Sequence, residues 1–499
     1  MAELLTRLTS VSSHSHTLAS SEKARNNQIN DLITFLKHPS NTSAIASSSD
    51  YILNNLDPSQ HSLSYLCVLH LHVQSIQRKT KTIIPSELLP GGTLWLNAVH
   101  FLRHFDPIQI RYAGLEWRQL IELVAEAAEV QSKPHFAVLV IRDSISRLGI
   151  SNTFTSVHLL FVRLSLLAKM YTHALPILDR QVCHFPNPSN QGYQQYRHLI
   201  LCTEHEQNTA FISEASGFSA KLAYRDHLSY FLYGAMVYIV LKDWDKAIHW
   251  LSIVISSPVT GPVSKIMVEA YKKWLLVNLL ANGKLASAPS VASSHVMRVY
   301  EALAKPYMSL AEAFEKCDFE KLSREVELGR SIWQIDNNTG LVAQLVSAFD
   351  EFIILKLGRT FSALKMSDVA WHRFSTGKLS SRETENYVAS LVMSGRVGAV
   401  LVHLRDQSNP TMLRFASKRG QSLYWERHLQ AKLRWESHLV KTIAGGIDHG
   451  KAELGFSNEF FQFLHKNQRS ADTPARVSFV AENEADHIHG DEDIMDDLH

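Results

Sequence analysis

Apolar residues recur three and four positions apart along most of this chain, the period of helices with one buried face. Strand-like alternation is scarce before residue 397. There the period changes: VGAVLVHL (Val397 to Leu404) and MLRFA (Met412 to Ala416) form two short β-type runs separated by RDQSNPT. The pattern ahead of them predicts three helices. DNNT (Asp336 to Thr339) offers N-cap side chains for a helix with Leu341, Leu345, Phe349 and Phe352 on one stripe. Ser367 can cap a short second helix beginning DVAWHRF. Ser380 and Glu383 form an S-x-x-E capping box for a third helix carrying Tyr387, Val388, Leu391 and Val392, and Ser394-Gly395 ends it. In the strand that follows, Val400, Val402 and Leu404 face one way, and Leu413 with Phe415 is expected on the helices. Three helices and a β-hairpin describe a winged helix, here near the end of an almost wholly helical chain.

Upstream, three segments share one spacing: an anchor, a small residue three later, and an aliphatic four beyond. They are Pro134/Ala137/Ile141, Tyr171/Ala174/Leu178 and Trp244/Ala247/Leu251. Alanine at such a place lets two helices approach closely. The pattern predicts stacked helical hairpins of tetratricopeptide type, with an irregular α-bundle as the competing arrangement. The fold class expected is mainly α, a helical-repeat solenoid followed by a winged helix and a C-terminal helix. FPNPSNQGYQQ (Phe185 to Gln195) reads as an exposed loop.

The run LSYFLYGAMVYIVL (Leu228 to Leu241) is uncharged but too short to span a bilayer, and is expected as a buried helix interrupted by Gly234. Cys67, Cys183, Cys202 and Cys317 lie far apart with no CxxC pair, which suits reduced thiols in the cytosol or nucleus. Charge is uneven. Glu482 to His499 holds eight acidic residues and no Lys or Arg, so the formal total of +2 leaves +10 on residues 1–481. The tail cannot bury enough apolar surface to fold alone, and is expected to be solvated.

Several runs together carry a resemblance: PVSKIMVEAYKKWLLVNLLANGK (Pro262 to Lys284), GLVAQLV (Gly340 to Val346) with LGRTFSALKMSDVA (Leu357 to Ala370), and IRYAG (Ile110 to Gly114), ALPILD (Ala174 to Asp179) and LKDWDKAI (Leu241 to Ile248). The first looks like the central signature of a known family, subunit three of the COP-9 signalosome. The next two resemble that family's winged-helix segment, and the last three fall in matching order. The resemblance covers roughly residues 60 to 420. The loop from Phe185 to Gly217, the Ser-rich N-terminal segment and the acidic tail depart from it.

The resemblance implies a PCI-domain protein in a complex that removes the ubiquitin-like modifier from cullins in cullin–RING ligases. It implies winged helices pairing edge to edge with other PCI subunits, and C-terminal helices gathering in a common bundle. The expected domains are helical repeats in 1–225, a PCI domain in 226–416 (helical part 226–339, winged helix 340–416), a bundle helix in 417–447, and a mostly flexible tail in 448–499. YWERHLQAKLRWESHLVKTI (Tyr424 to Ile443) is the bundle candidate: Trp425, Leu429, Leu433, Val440 and Ile443 share one face, with Glu436 an interruption. The interface residues expected are these five with Val397, Val400, Val402, Leu404, Met412 and Leu413.

Metalloprotease chemistry of the signalosome kind needs an H-x-H pair followed by Ser and Asp at fixed spacing. After His70-Leu71-His72 those places hold Thr80 and Ile83; after His14-Ser15-His16 they hold Ala24 and Asn27; and His487-Ile488-His489 lies too near the C-terminus. No P-loop, G-x-S-x-G or H-E-x-x-H occurs. The expectation is a non-catalytic scaffold subunit with no cofactor, metal or membrane partner. The competing readings are a PCI subunit of the proteasome lid or of a translation initiation factor complex, or a nucleic-acid-binding winged helix. The third predicted helix, SRETENYVASLVMSGR, speaks against the last, having two acids and few cations for phosphates.

Overall fold

A computed structural model describes residues 2–11, 22–149, 153–180, 216–259, 262–289, 292–373, 381–403, 411–415 and most of 426–441, with isolated positions elsewhere. Residues 1–226 belong to one compact unit and residues 227–443 form another.

The first unit is a run of helices. It begins with α1 (Ala2–Leu8), α2 (Glu22–Lys37), α3 (Pro39–Ser47), α4 (Ser49–Asn55) and α5 (Ser62–Thr80). It continues through α6 (Thr93–His104), α7 (Pro107–Ile110), α8 (Gly114–Val130), α9 (His135–Leu148), α10 (Ser156–Leu167) and α11 (Tyr171–Leu178). The second opens with α12 (Tyr224–Val240), α13 (Trp244–Ile255), α14 (Lys265–Asn282), α15 (Ser294–Leu303) and α16 (Lys305–Glu315). After α17 (Phe319–Leu328) and α18 (Arg330–Ile335) comes the long α19 (Thr339–Thr360). A small module closes it: β1 (Ala363–Lys365), α20 (Met366–Arg373), α21 (Ser381–Met393), β2 (Ala399–Val402) and β3 (Met412–Phe415).

Successive helices turn back through one recurring device. At Ser132, Lys169, Lys242, Cys317 and Asn337 the backbone takes φ between 51° and 59°. The next amide then donates to a carbonyl five residues back, as in Lys133 N to Ala128 O (2.8 Å), Met170 N to Ser165 O (2.9 Å) and Asp243 N to Tyr238 O (3.0 Å). This is a Schellman closure, which satisfies the last free carbonyls of a helix and reverses the chain. Asp243 and Asp318, just past two of these turns, also cap the next helix by accepting from Lys246 N and Lys321 N.

The three small residues of the repeated spacing, Ala137, Ala174 and Ala247, are fully buried, as are Ile141 and Leu251. With a Cβ only, each leaves room for a neighbouring helix, and the chain is mainly α and solenoid-like. The 14-residue apolar run lies in α12 and is buried there. Gly234 does not interrupt that helix. A Cβ at Gly234 would lie 2.2 Å from the Trp250 ring, so glycine is required there by close approach. No helix among the described residues is long and apolar enough to cross a membrane.

Polar groups in the second unit serve tertiary contacts where the sequence suggested caps. Asn338 makes no capping bond to α19; its Nδ2 donates to the Tyr307 hydroxyl at 2.9 Å. Asp336 accepts from the Tyr307 hydroxyl at 2.8 Å and from Lys272 Nζ at 2.7 Å, tying α14, α16 and the α18–α19 turn together. Ser367 lies inside α20 rather than capping it. Ser380, expected to form a capping box with Glu383, lies outside the described residues.

The module has a three-stranded antiparallel sheet in the order β1-β3-β2. The strand β1, inside LGRTFSALKMSDVA, was not foreseen. Its three residues show no alternation long enough to register against the helical pattern on both sides. Leu364 lies opposite Leu413, and Leu401 opposite Leu413 on the other flank. Met366, Val369, Val388, Leu391, Val397 and Leu413 form the core beneath the sheet. Gly358 of α19 lets the Phe415 ring approach: a Cβ there would lie 2.7 Å from it.

Candidate functional site

The candidate surface begins with β2, an edge strand among the described residues. β3 pairs with β1 on one side and β2 on the other, so its own hydrogen-bonding groups are used twice. Among the described residues β2 has a ladder partner only in β3. Its side chains alternate: Ala399 and Leu401 turn toward the core, whereas Val400 is 59% and Val402 39% exposed. An apolar face beside an open strand edge is the arrangement that accepts another chain's strand.

This geometry divides the six wing residues named from the sequence. Val397 and Leu413 are core, not surface, and Met412 stands on the central strand, which has no free edge. The expectation that Leu413 takes part in edge pairing is therefore corrected, because the β1 strand covers that side of β3. Val400 and Val402 remain at the surface, and Leu404 lies outside the described residues. The start of β2 is anchored by Arg396, whose Nη1 sits 2.7 Å from Glu351 Oε2. Burial raises the Glu351 carboxyl above its ordinary range, and the Arg396 charge offsets part of that. At the far end, Thr411 Oγ1 donates to Glu385 Oε1 at 3.3 Å and contacts His403 Nδ1 at 3.2 Å.

The second surface is the C-terminal helix, helical at 426–427, 429–438 and 440–441. Lys432 Nζ lies 2.5 Å from Asp245 Oδ2 at the start of α13, and that bond raises the Lys432 ammonium above its usual value. Lys246 Nζ stands 5.5 Å from the Trp435 ring and 5.3 Å from the Tyr238 ring. The helix thus touches its own unit. At about 100° per residue, Leu429, Leu433 and Val440 fall on a stripe well to one side of Lys432 and Trp435. That stripe is open: Leu429 is 38%, Leu433 56% and Val440 64% exposed. Trp425 and Ile443 lie outside the described residues. Lys432, Trp435, Asp245 and Lys246 escaped the sequence reading, since nothing marks contacts between residues so distant in the chain.

Of the H-x-H residues, His72 hydrogen-bonds Ser49 and stands 3.2 Å from Asp50, and His70 contacts Gln74 at 2.7 Å. Burial pushes the Cys67 thiol up to about 12, so it stays protonated.

The chain matches the family model described as COP9 signalosome complex subunit 3, N-terminal helical repeats, over residues 26–203 and 205–297. It is 47% identical over 499 residues, all of both chains, to a protein named COP9 signalosome complex subunit 3 from Emericella nidulans. A protein of the same name from Dictyostelium discoideum is 25% identical over 445 residues, 86% of this chain and 96% of that one. The likeness extends further than the sequence reading allowed. The family model takes in the Ser40–Asp50 segment and most of the 185–217 loop, and the Emericella match includes the acidic tail. By these matches and its helical-repeat architecture, the chain belongs to the COP9 signalosome subunit 3 family.

Proposed function

We propose that this chain is a non-catalytic scaffold subunit of a signalosome that removes the ubiquitin-like modifier from cullin–RING ligases in the cytoplasm and nucleus. The observation that carries the reading is its end-to-end likeness to a protein named as signalosome subunit 3. In this reading residues 1–225 are the helical-repeat arm and 226–416 a PCI domain whose residues 340–416 form the winged helix. Residues 417–447 hold a bundle helix and 448–499 a solvated tail. Sibling PCI subunits add strands to β2 over Val400 and Val402, and their C-terminal helices cover Leu429, Leu433 and Val440. Both surfaces leave apolar area in water that assembly would remove, at roughly 25 cal/mol per Å².

Native mass spectrometry of the protein isolated from its own cells tests this. The expected result is a stable set of helical subunits with cullins in substoichiometric amounts. Isolation alone, with proteasomal ATPases, or with ribosomes would overturn it.

A further inference from the structure

A cleft of about 350 Å³ opens in the second unit where the end of α14, the α16–α17 turn and the last turns of α19 meet. That volume suits a small molecule rather than a folded partner. Its wall is only modestly apolar: Phe314 and Phe349 are buried behind it, and half-buried Leu285, Phe352 and Leu355 supply the carbon surface. Its rim is cationic, with Lys284, Lys356 and Arg359 all exposed against one acid, Glu315. Glu315 Oε1 already accepts from Leu285 N at 2.5 Å. Neither Lys284 nor Arg359 has an ion pair among the described residues, although the unit supplies acids for Lys272, Lys273, Lys316 and Lys321.

Among these cations lies a nucleophile. Cys317 lines the cleft as a free, partly accessible thiol, and Lys356 Nζ stands 3.5 Å from its Sγ. Glu315 O, also at 3.5 Å, helps to hold the ammonium there. A thiol attacks a disulfide as its thiolate, and cations around it raise the local concentration of a reagent that bears carboxylates. The cleft therefore favours a small anionic disulfide over a neutral one. An extended nucleic acid would need a longer basic stripe than three side chains. We propose that Cys317 is a modification site for thiol–disulfide exchange with a small disulfide carrying free carboxylates, which meet Lys284 and Arg359; glutathione disulfide is the probe of that class. The Cys317 thiolate attacks one sulfur, and a new S–S bond forms as the old one breaks. The second half leaves as a thiolate and takes up the proton that the Cys317 thiol gave to solvent. Cys317 is thereby oxidised and the departing half reduced, with no further oxidant. The site lies inside one unit and stands whether or not the assembly surfaces above are correct.

The full-length protein is incubated with glutathione disulfide or with uncharged hydroxyethyl disulfide, and the mixed disulfide on the Cys317 peptide is followed by mass spectrometry. Each rate is divided by that of a neutral free thiol, N-acetylcysteine amide, with the same reagent. So normalised, Cys317 is expected to prefer glutathione disulfide by roughly threefold or more. Lys284→Gln combined with Arg359→Gln, both on exposed side chains, should abolish most of that preference, with circular dichroism melts to verify the fold. The preference should also shrink as salt rises, because exposed charges are screened. Absence of any preference in the unaltered protein would overturn the proposal, as would a preference that survives the double substitution. The Cys67 thiol, kept protonated by burial, is the internal control. Its labelling at the Cys317 rate would mark the reaction as one of the opened chain and overturn the proposal as well.

Discussion

Leu401 stands opposite Leu413 in the register of β2 and β3, and both side chains turn toward the helices; Val400, one residue earlier, therefore leaves from the other face. The two wing positions that the sequence placed together are thus separable. Val400→Asp is expected to cost about 1 kcal/mol or less on an exposed edge strand and to weaken assembly with sibling subunits. Leu413→Asp buries an unpaired charge in the module core and should unfold it, and Leu413→Ala should cost roughly 2–5 kcal/mol. Circular dichroism melts alongside co-elution with partner subunits separate the outcomes. A folded Val400→Asp protein that still assembles normally would sink the edge-pairing account.

What the sequence allowed here, and what it withheld, follows from period. Strand alternation showed that Val400 and Val402 share a face, because side chains repeat every second residue. It could not say which face was solvent. That depended on where α20 and α21 pack, and the second edge of β3 is taken by β1, whose three residues Ala363–Lys365 are too few to show a period. The helical stripes, Ala137, Ala174, Ala247 and the buried α12 were all legible, since a 3.6-residue repeat over ten or more positions is hard to mistake. The turns were less so. Five of them use Ser, Lys, Cys or Asn where glycine is the usual signal. The polar DNNT stretch looked like a cap but is spent on Lys272 and Tyr307.

Those turns offer a second test. A non-glycine residue in the left-handed region carries a strain of roughly 1–2 kcal/mol, partly offset by the greater unfolded-state freedom of glycine. Lys169 at φ 55° and Lys242 at φ 59° are therefore suited to replacement. Lys169→Gly is expected to raise stability by about 0.5–1 kcal/mol, read as a higher urea midpoint with unchanged slope. A lower midpoint would show that the lysine stem packs in a way that outweighs its backbone strain.

His158 sets a pH dependence in the first unit. Its ring is fully buried, with Nδ1 2.8 Å from Thr155 Oγ1 at the start of α10, and burial holds its pKa down to about 4. The ordinary value is about 6.5, so the neutral ring favours the folded state. That contribution is complete above pH 6.5 and is lost as pH falls through 4, amounting to about 3 kcal/mol. Urea titrations at several pH values should show the decline, and His158→Gln should flatten it while lowering stability at neutral pH. An equal slope in both proteins would assign the acid sensitivity elsewhere.

The docking of the C-terminal helix rests on few contacts. Lys432 and Asp245 are both largely solvated, so their pair contributes less than about 1 kcal/mol. Asp245→Asn should leave the melting temperature nearly unchanged yet speed hydrogen exchange across residues 429–441. Leu433→Lys should instead leave exchange in the free subunit unaltered and lower incorporation into the complex. If Leu433→Lys incorporates fully, the open stripe is not an assembly surface.

The last strand to be synthesised in the wing is the one that lies in the middle. β3 joins β1 and β2, neither of which touches the other, so until Phe415 has left the ribosome both remain without a ladder. A chain terminated just before Met412 would leave β1 and β2 without their shared partner and remove Leu413 from the core. The ladder of the wing thus closes only once its last strand is present.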